Sequence, residues 1–181
     1  MSKLQIFDLD DTLFRIPTFS AVHPTEAESK YGLDPYKFYD SAESLDFLKY
    51  TISLIEPVYE EYIKEFRSIQ HLITHRVQNL SSELNTLLNA ANLKFNYISM
   101  LGRVGSKADI VNKKIHESLI GEIKHIEIFE DSFDQILNYK QNLILESDQQ
   151  LTFWLVDKSK VFKLDNQLQV QETKRIKLRN I

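Results

Sequence analysis

Short apolar runs alternate with amphipathic stretches along most of this chain. Leu4-Gln5-Ile6-Phe7 leads straight into Asp8-Leu9-Asp10-Asp11-Thr12, and His71–Thr74, Tyr97–Met100, His125–Phe129 and Thr152–Val156 are further short runs. Short runs rich in branched and aromatic side chains, each ended by polar residues, predict buried strands. Between them lie stretches with helical spacing: Leu80, Leu84, Leu87 and Leu88; Ser106 through Ile115 and Leu119; and Phe133, Ile136, Leu137 and Leu143. From Ser41 onward, Leu48, Ile52, Ile55, Tyr59, Tyr62 and Phe66 keep spacings of 4, 3, 4, 3 and 4. That pattern predicts a helix capped by Ser41 or Ser44, which Pro57 kinks or restarts because it lacks an N–H and clashes with the preceding turn. Residues 14–41 hold Pro17, Pro24, Gly32 and Pro35 without a sustained period. They predict a long irregular excursion, and segments of that length in a compact domain are usually lid-like or functional.

Strands alternating with helices predict an α/β fold, a Rossmann-like three-layer sandwich with a mostly parallel central sheet and helices on both faces. Open sheets of that kind bind ligands beyond the carboxyl ends of their strands. No internal repeat and no second core is visible, so residues 1–157 read as one domain and residues 158–181 as a C-terminal extension packed on it.

Composition narrows the class. The chain has 181 residues, 43% hydrophobic and 27% charged, an ordinary globular balance that argues against disorder and low complexity. It has no cysteine, which excludes disulfide scaffolds and thiolate sites. The start is too polar for a signal peptide and no run is long enough to span a bilayer, so a soluble cytoplasmic protein with no membrane partner is expected. Charge is uneven: residues 158–181 carry seven basic side chains against Asp165 and Glu172, a net +5 in a chain of net −4. Such asymmetry can mark an anionic partner. The plainer reading is a solvated edge hairpin, because these cations alternate with Val161, Leu164, Leu168, Val170, Ile176 and Leu178.

Four polar clusters fall where a parallel sheet would gather them: Asp8 and Asp10 after the first strand, Thr74 ending the second, Lys107 opening a helix, and Glu130-Asp131 after the fourth. Singly, each reads as a cap, a turn or a solvated side chain; their joint order is the informative feature. With Phe7-Asp8-Leu9-Asp10-Asp11-Thr12-Leu13-Phe14, Ile73-Thr74-His75-Arg76, Gly105-Ser106-Lys107 and Phe129-Glu130-Asp131-Ser132, the sequence resembles the haloacid dehalogenase-like (HAD) phosphohydrolases over residues 4 to 134. The resemblance implies that Asp8 is the nucleophile forming an aspartyl-phosphate. Residues two apart on an extended chain point the same way, about 6.8 Å apart, so Asp10 can serve the leaving oxygen and then the hydrolytic water. Thr74 would bond a phosphoryl oxygen and Lys107 would stabilise charge in the transition state. Mg²⁺ is the implied cofactor, held by Asp8, the Asp10 main-chain carbonyl and Asp131, with Glu130 acting directly or through water. Glutamate in first place departs from the commoner forms of that fourth signature and leaves the role of Glu130 open. Haloalkanoate dehalogenases lack an acid equivalent to Asp10, so its presence points to phosphoester chemistry.

Little material separates the signatures, which implies a minimal cap and an open site. Leu13-Phe14-Arg15-Ile16-Pro17, with Tyr36 and Tyr39 downstream, loosely resembles the phosphatase domains of polynucleotide kinase/phosphatases and RNA-repair-like relatives. On that reading the substrate is a phosphorylated DNA or RNA end. Arg15, His75, Arg76 and Arg103 would clamp it, and Tyr36, Phe38 and Tyr39 would stack a base. The plainer alternatives are that these aromatics pack under the lid and that the arginines pair with carboxylates. Rival functions are a small-molecule or nucleotide phosphatase, a phosphoserine phosphatase, and a binding protein that kept the fold without turnover.

Overall fold

The computed structural model describes residues 2–16, 35–65, 67–116 and 123–181. Its central sheet has seven strands: β1 (Ser2–Phe7), β4 (Ile69–Thr74), β5 (Tyr97–Met100), β6 (Ile123–Glu130), β7 (Gln150–Val156), β8 (Lys160–Leu164) and β9 (Val170–Arg175), in the order β5-β4-β1-β6-β7-β8-β9. The first five neighbours are parallel, and β8 and β9 extend the sheet antiparallel. Three short strands, β2 (Phe14–Arg15), β3 (Ser53–Ile55) and β10 (Leu178–Asn180), form a second sheet in the order β10-β3-β2. The described helices are α1 (Pro35–Tyr39), α2 (Glu56–Lys64), α3 (Ser81–Ala90), α4 (Lys107–His116) and α5 (Phe133–Asn142). None is long and apolar enough to cross a membrane.

The central strands β1, β4 and β6 are buried on both faces along most of their length, so their apolar residues fall at successive positions rather than in strict alternation. Ile6, Ile73, Ile128 and Phe153 face one layer with Ala108 and Val111 of α4 and Ile136 and Tyr139 of α5. Phe7, Leu72, Phe129 and Trp154 face the other, with Val58 and Tyr62 of α2 and Leu84, Leu87 and Leu88 of α3. The core thus has two halves, one on each face of the sheet. On the second face a row of side chains runs across it, because Phe7 pairs with Phe129 and Phe129 with Trp154 in register. The Phe7 and Phe129 rings stack at 4.5 Å, and those of Phe129 and Trp154 at 5.5 Å. Nearer the start of β1, the buried Gln70 amide donates to Gln5 Oε1, and Gln5 donates to Glu127 Oε2, each at 3.0 Å.

The helix predicted from Ser41 to Phe66 is a correction. Ala42–Leu45 is a 3₁₀ turn, Ser53–Ile55 is β3, and only Glu56–Lys64 is an α-helix. Leu48, an anchor of the apparent periodicity, is 87% exposed. Ser53, Leu54 and Ile55 are claimed instead by β2 on one side and β10 on the other. Pro57 then sits in the first turn of α2, where its missing N–H costs nothing and its fixed φ favours the helix. The irregular, lid-like segment expected over residues 14–41 is likewise interrupted, by β2 and α1, and its residues 17–34 lie outside the described residues. The C-terminal extension continues the main sheet through β8 and β9, and then β10 leaves it to pair with β3.

Phe129 is fully buried between two rings, one residue before the site. Phe129→Ala is expected to lower stability by about 3–5 kcal/mol, the usual cost of deleting a buried aromatic, measured by urea denaturation.

Candidate active site

The strand order turns back at β1: the chain passes to β4 and β5 on one side, then crosses to β6 on the other. The crevice at such a switch point is where an open parallel sheet gathers functional groups. Asp8 follows β1 and its N–H donates to the Phe129 carbonyl at 3.0 Å, which carries the ladder one residue further. Asp8 and Glu130 therefore emerge side by side, both buried. Lys107, the first residue of α4, is buried between them, and its ammonium donates to Asp8 Oδ1 at 2.8 Å and Glu130 Oε2 at 2.7 Å. Thr12 Oγ1 donates to the other Asp8 oxygen at 3.4 Å.

Burial pushes the Asp8 carboxyl up and Lys107 pulls it back, with a net rise. Burial and then the Asp8 charge raise Glu130 well above the usual carboxylate range. Burial also works against the Lys107 ammonium, yet Asp8 and Glu130 outweigh it and hold the amine more basic than an ordinary lysine. Asp131 is the exposed member of the group, and partial desolvation of its carboxyl and the nearby Asp8 push it up to about 6. Asp8, Glu130 and Asp131 each offer an oxygen within 4.8 Å of the others. Three carboxylates against one ammonium, all oxygen donors, suit a hard divalent cation such as Mg²⁺.

The Asp10 carboxylate lies outside that group and is held by Arg76. Nε donates to Oδ2 at 2.9 Å and Nη2 to Oδ1 at 2.5 Å, a bidentate pair. Nη1 of Arg76 donates to the Tyr39 carbonyl and, at 2.6 Å, to Ser44 Oγ. The Arg76 side chain is only 2% exposed, so it braces Asp10 and is not a free arm for substrate. Thr74, fully buried, accepts from the Arg76 N–H at 3.2 Å, and its own hydroxyl proton stays available to donate elsewhere.

Beside Asp10 opens a cavity of about 450 Å³, walled by Asp11, Tyr36, Tyr39, Asp40, His75, Arg76 and Arg103. Arg103 donates to Asp40 Oδ2 at 2.5 and 3.0 Å and lies over the Tyr36 ring. His75 Nδ1 faces the Gly102 carbonyl at 3.0 Å, which fixes the proton on that nitrogen. Arg15 is outside this wall, bound to Asp11 at 3.0 Å and to the Lys158 carbonyl at 3.3 Å. Asp11 itself sits in the left-handed region (φ 55°), the strained turn that sends the chain from Asp8 to β2. Each of the three predicted arginines is thus tied to a carboxylate. Phe38 is fully buried and Tyr36 is 61% exposed, so the aromatics divide between packing and cavity wall. Nothing local in the sequence marks Asp40 or Ser44 as a site residue, because their arginine partners lie 63 and 32 residues away. A roomier cavity of about 550 Å³, between residues 42–49 and α3, holds none of these groups.

No family model matches the sequence, and no curated protein matches it. Among solved structures, a chain in the structure of a Pnkp1/Rnl/Hen1 complex is similar, with a TM-score of 0.51 and 14% identity over 87% of this chain. The match covers 46% of that longer chain, so this protein spans about half its length. At 14% identity the likeness is one of fold.

Lys107→Met is expected to cost about 3–5 kcal/mol at neutral pH, because it strands two buried carboxylates. The deficit should shrink on acidification as those carboxyls take up protons, which paired urea titrations at about pH 7.5 and 5.5 would measure. Asp131 supplies a second test. Its folded value lies above its ordinary 3.8, so the fold binds the extra proton, and stability falls as pH rises from about 4 to about 6. Metal-free protein should therefore melt at a higher temperature near pH 5 than near pH 7, Asp131→Asn should remove part of that gain, and Mg²⁺ should raise Tm more at the higher pH.

Proposed function

We propose that this chain is a Mg²⁺-dependent phosphomonoester hydrolase of the HAD type with a minimal cap, acting on phosphorylated nucleic-acid ends. One observation carries the reading: a buried carboxylate held by a lysine, Asp8, stands two residues from a second carboxylate, Asp10, that an arginine fixes separately. Two carboxyls so close in sequence, yet held by different cations, suit two different roles in one reaction.

Asp8 attacks phosphorus, the bond to the leaving oxygen breaks, and the Asp10 carboxyl delivers a proton to that oxygen. In the second half Asp10 takes a proton from water, the water oxygen bonds to phosphorus, and the bond to Asp8 breaks, releasing phosphate. Arg76 gives the Asp10 oxygens one direction in both halves. Lys107 keeps Asp8 ionised and oriented, and Thr74 donates to a phosphoryl oxygen. A magnesium ion on Asp8 and Asp131, with Glu130 alongside, would supply charge neutralisation and polarise the phosphoryl group.

The substrate class rests on the loose resemblance to end-repair phosphatases, on the fold shared with a component of a Pnkp1/Rnl/Hen1 complex, and on the cavity beside Asp10 with its Tyr36 and Tyr39 walls. That cavity also favours a second reading, a small-molecule or nucleotide phosphatase, because about 450 Å³ suits a small ligand.

Phosphate release with Mg²⁺ should be compared on 3′- and 5′-phosphorylated oligonucleotides, mononucleotides, sugar phosphates and phosphopeptides. The proposal expects an oligonucleotide end to be hydrolysed fastest; a faster mononucleotide selects the second reading, and no release from any substrate leaves a binding protein. Asp8→Asn should abolish turnover, Asp10→Asn should lower it by about 10²–10⁴-fold, and chelator should silence the enzyme. Arg76→Gln should lower kcat with little change in KM.

A further inference from the structure

The cations around the cavity are already paired: Arg76 with Asp10, Arg103 with Asp40, and Arg15 with Asp11. A polyanion approaching a chain of net −4 needs other positive charge. The C-terminal strands hold it, but not uniformly. Lys174 is paired with Glu61 at 2.7 Å and lies over Trp154; Lys163 also lies over Trp154; Arg179 lies over Tyr59. These three fasten the extension to the domain. Lys158, Lys160, Arg175 and Lys177 are exposed and have no carboxylate partner among the described residues.

Their place in the fold is informative. Strand β7 runs parallel to β6 and β1, so its last residue, Val156, ends at the same edge as Asp8 and Glu130. The chain turns there, with Asp157 N–H donating to the Lys160 carbonyl at 2.8 Å, and β9 returns to the same edge, where Ile176 N–H donates to the Ser159 carbonyl at 2.9 Å. All four cations therefore lie at the end of the sheet onto which Asp8 and Glu130 also open. The turn touches the site directly, since Arg15 bridges the Lys158 carbonyl and Asp11, and Asp11 lines the cavity. Lys160 and Arg175 stand directly opposite one another in the antiparallel register. Like charges so placed destabilise a strand pair unless an anion joins them.

We propose that Lys158, Lys160, Arg175 and Lys177 form a binding track for the phosphodiester backbone of a single-stranded nucleic acid, one side of the site, while the Tyr36 and Tyr39 cavity takes an unstacked base on the other. The track rests on the function proposed above for its orientation, with the phosphorylated end at Asp8. Backbone phosphates are recognised by exposed lysines and arginines through release of condensed counterions, and unstacked bases by aromatic walls. The basic tail read from the sequence thereby divides into three anchoring residues and four that bind.

Fluorescence anisotropy of a labelled single-stranded decanucleotide, with the full chain over a range of salt concentrations, tests the track without requiring turnover. Lys160→Gln combined with Arg175→Gln should weaken binding at low salt and reduce the slope of log K against log salt by about 1.4, near 0.7 for each lost contact. Its Tm should not fall, because a repulsive pair has been removed; if it did, Lys158→Gln with Lys177→Gln carries the same test. Lys113→Gln with Lys140→Gln, in the last turns of α4 and α5, changes net charge equally and should leave binding unchanged. Equal weakening by this control, no binding by wild type, or a wild-type slope in the track variant overturns the track. So does a polyglutamate peptide of matched charge that binds as tightly and loses as much, which would make the partner an acidic protein. Binding as expected without phosphate release from any end retains the track and sinks the hydrolase; end hydrolysis with unaltered binding does the reverse.

Discussion

The buried Lys107 ammonium is the contact on which the arrangement of the site depends. In-register pairing of Phe7 with Phe129 forces the next residues of both strands, Asp8 and Glu130, to emerge together at one sheet edge. Two ionised carboxylates about 4 Å apart repel by roughly 4 kcal/mol at a surface-like effective dielectric. The packing that aligns the rings therefore creates an electrostatic cost one residue further on. Lys107 offsets it with one bond to each carboxylate. The start of α4 lies at the same point, and a helix N-terminus favours negative charge.

The same logic recurs around the cavity with arginines. Asp10, Asp11 and Asp40 would make a strongly anionic mouth, hostile to any phosphate, and each is matched by an arginine from elsewhere in the chain. Pairing makes the mouth nearly neutral and makes its carboxylates directional. It also uses up the cations that could greet a substrate. Recognition of a polyanion then falls to charges outside the mouth, and the antiparallel turn after β7 carries them to the same end of the sheet.

The aromatic row ties these two regions together. Phe7, Phe129 and Trp154 cross three strands, and Lys163 and Lys174 lie over the far indole. The row that supports Asp8 and Glu130 thus extends to the strands whose exposed cations stand at that end of the sheet. Lys174 fastens the same strands to α2 through Glu61.

The succession of strands and helices along the chain, and the polar residues Asp8, Thr74, Lys107 and Glu130 at their ends, were legible in the sequence. Both depend on local patterns: short apolar runs bounded by polar residues, and helical spacing between them. The stretch from Ser41 to Phe66 was not legible, because its apparent 3.6-residue period includes the exposed Leu48 and conceals a strand held by partners from both ends of the chain. Nor was the task of Arg76 or Arg103 legible, or the division of the basic tail. An arginine looks the same in sequence whether its guanidinium meets a substrate or a carboxylate 66 residues away. Local sequence determined which segments become strands and helices, and which polar residues end them. Tertiary structure alone decided which charges are neutralised and which are left to act, because pairing energy depends on distance and burial that only the folded chain sets.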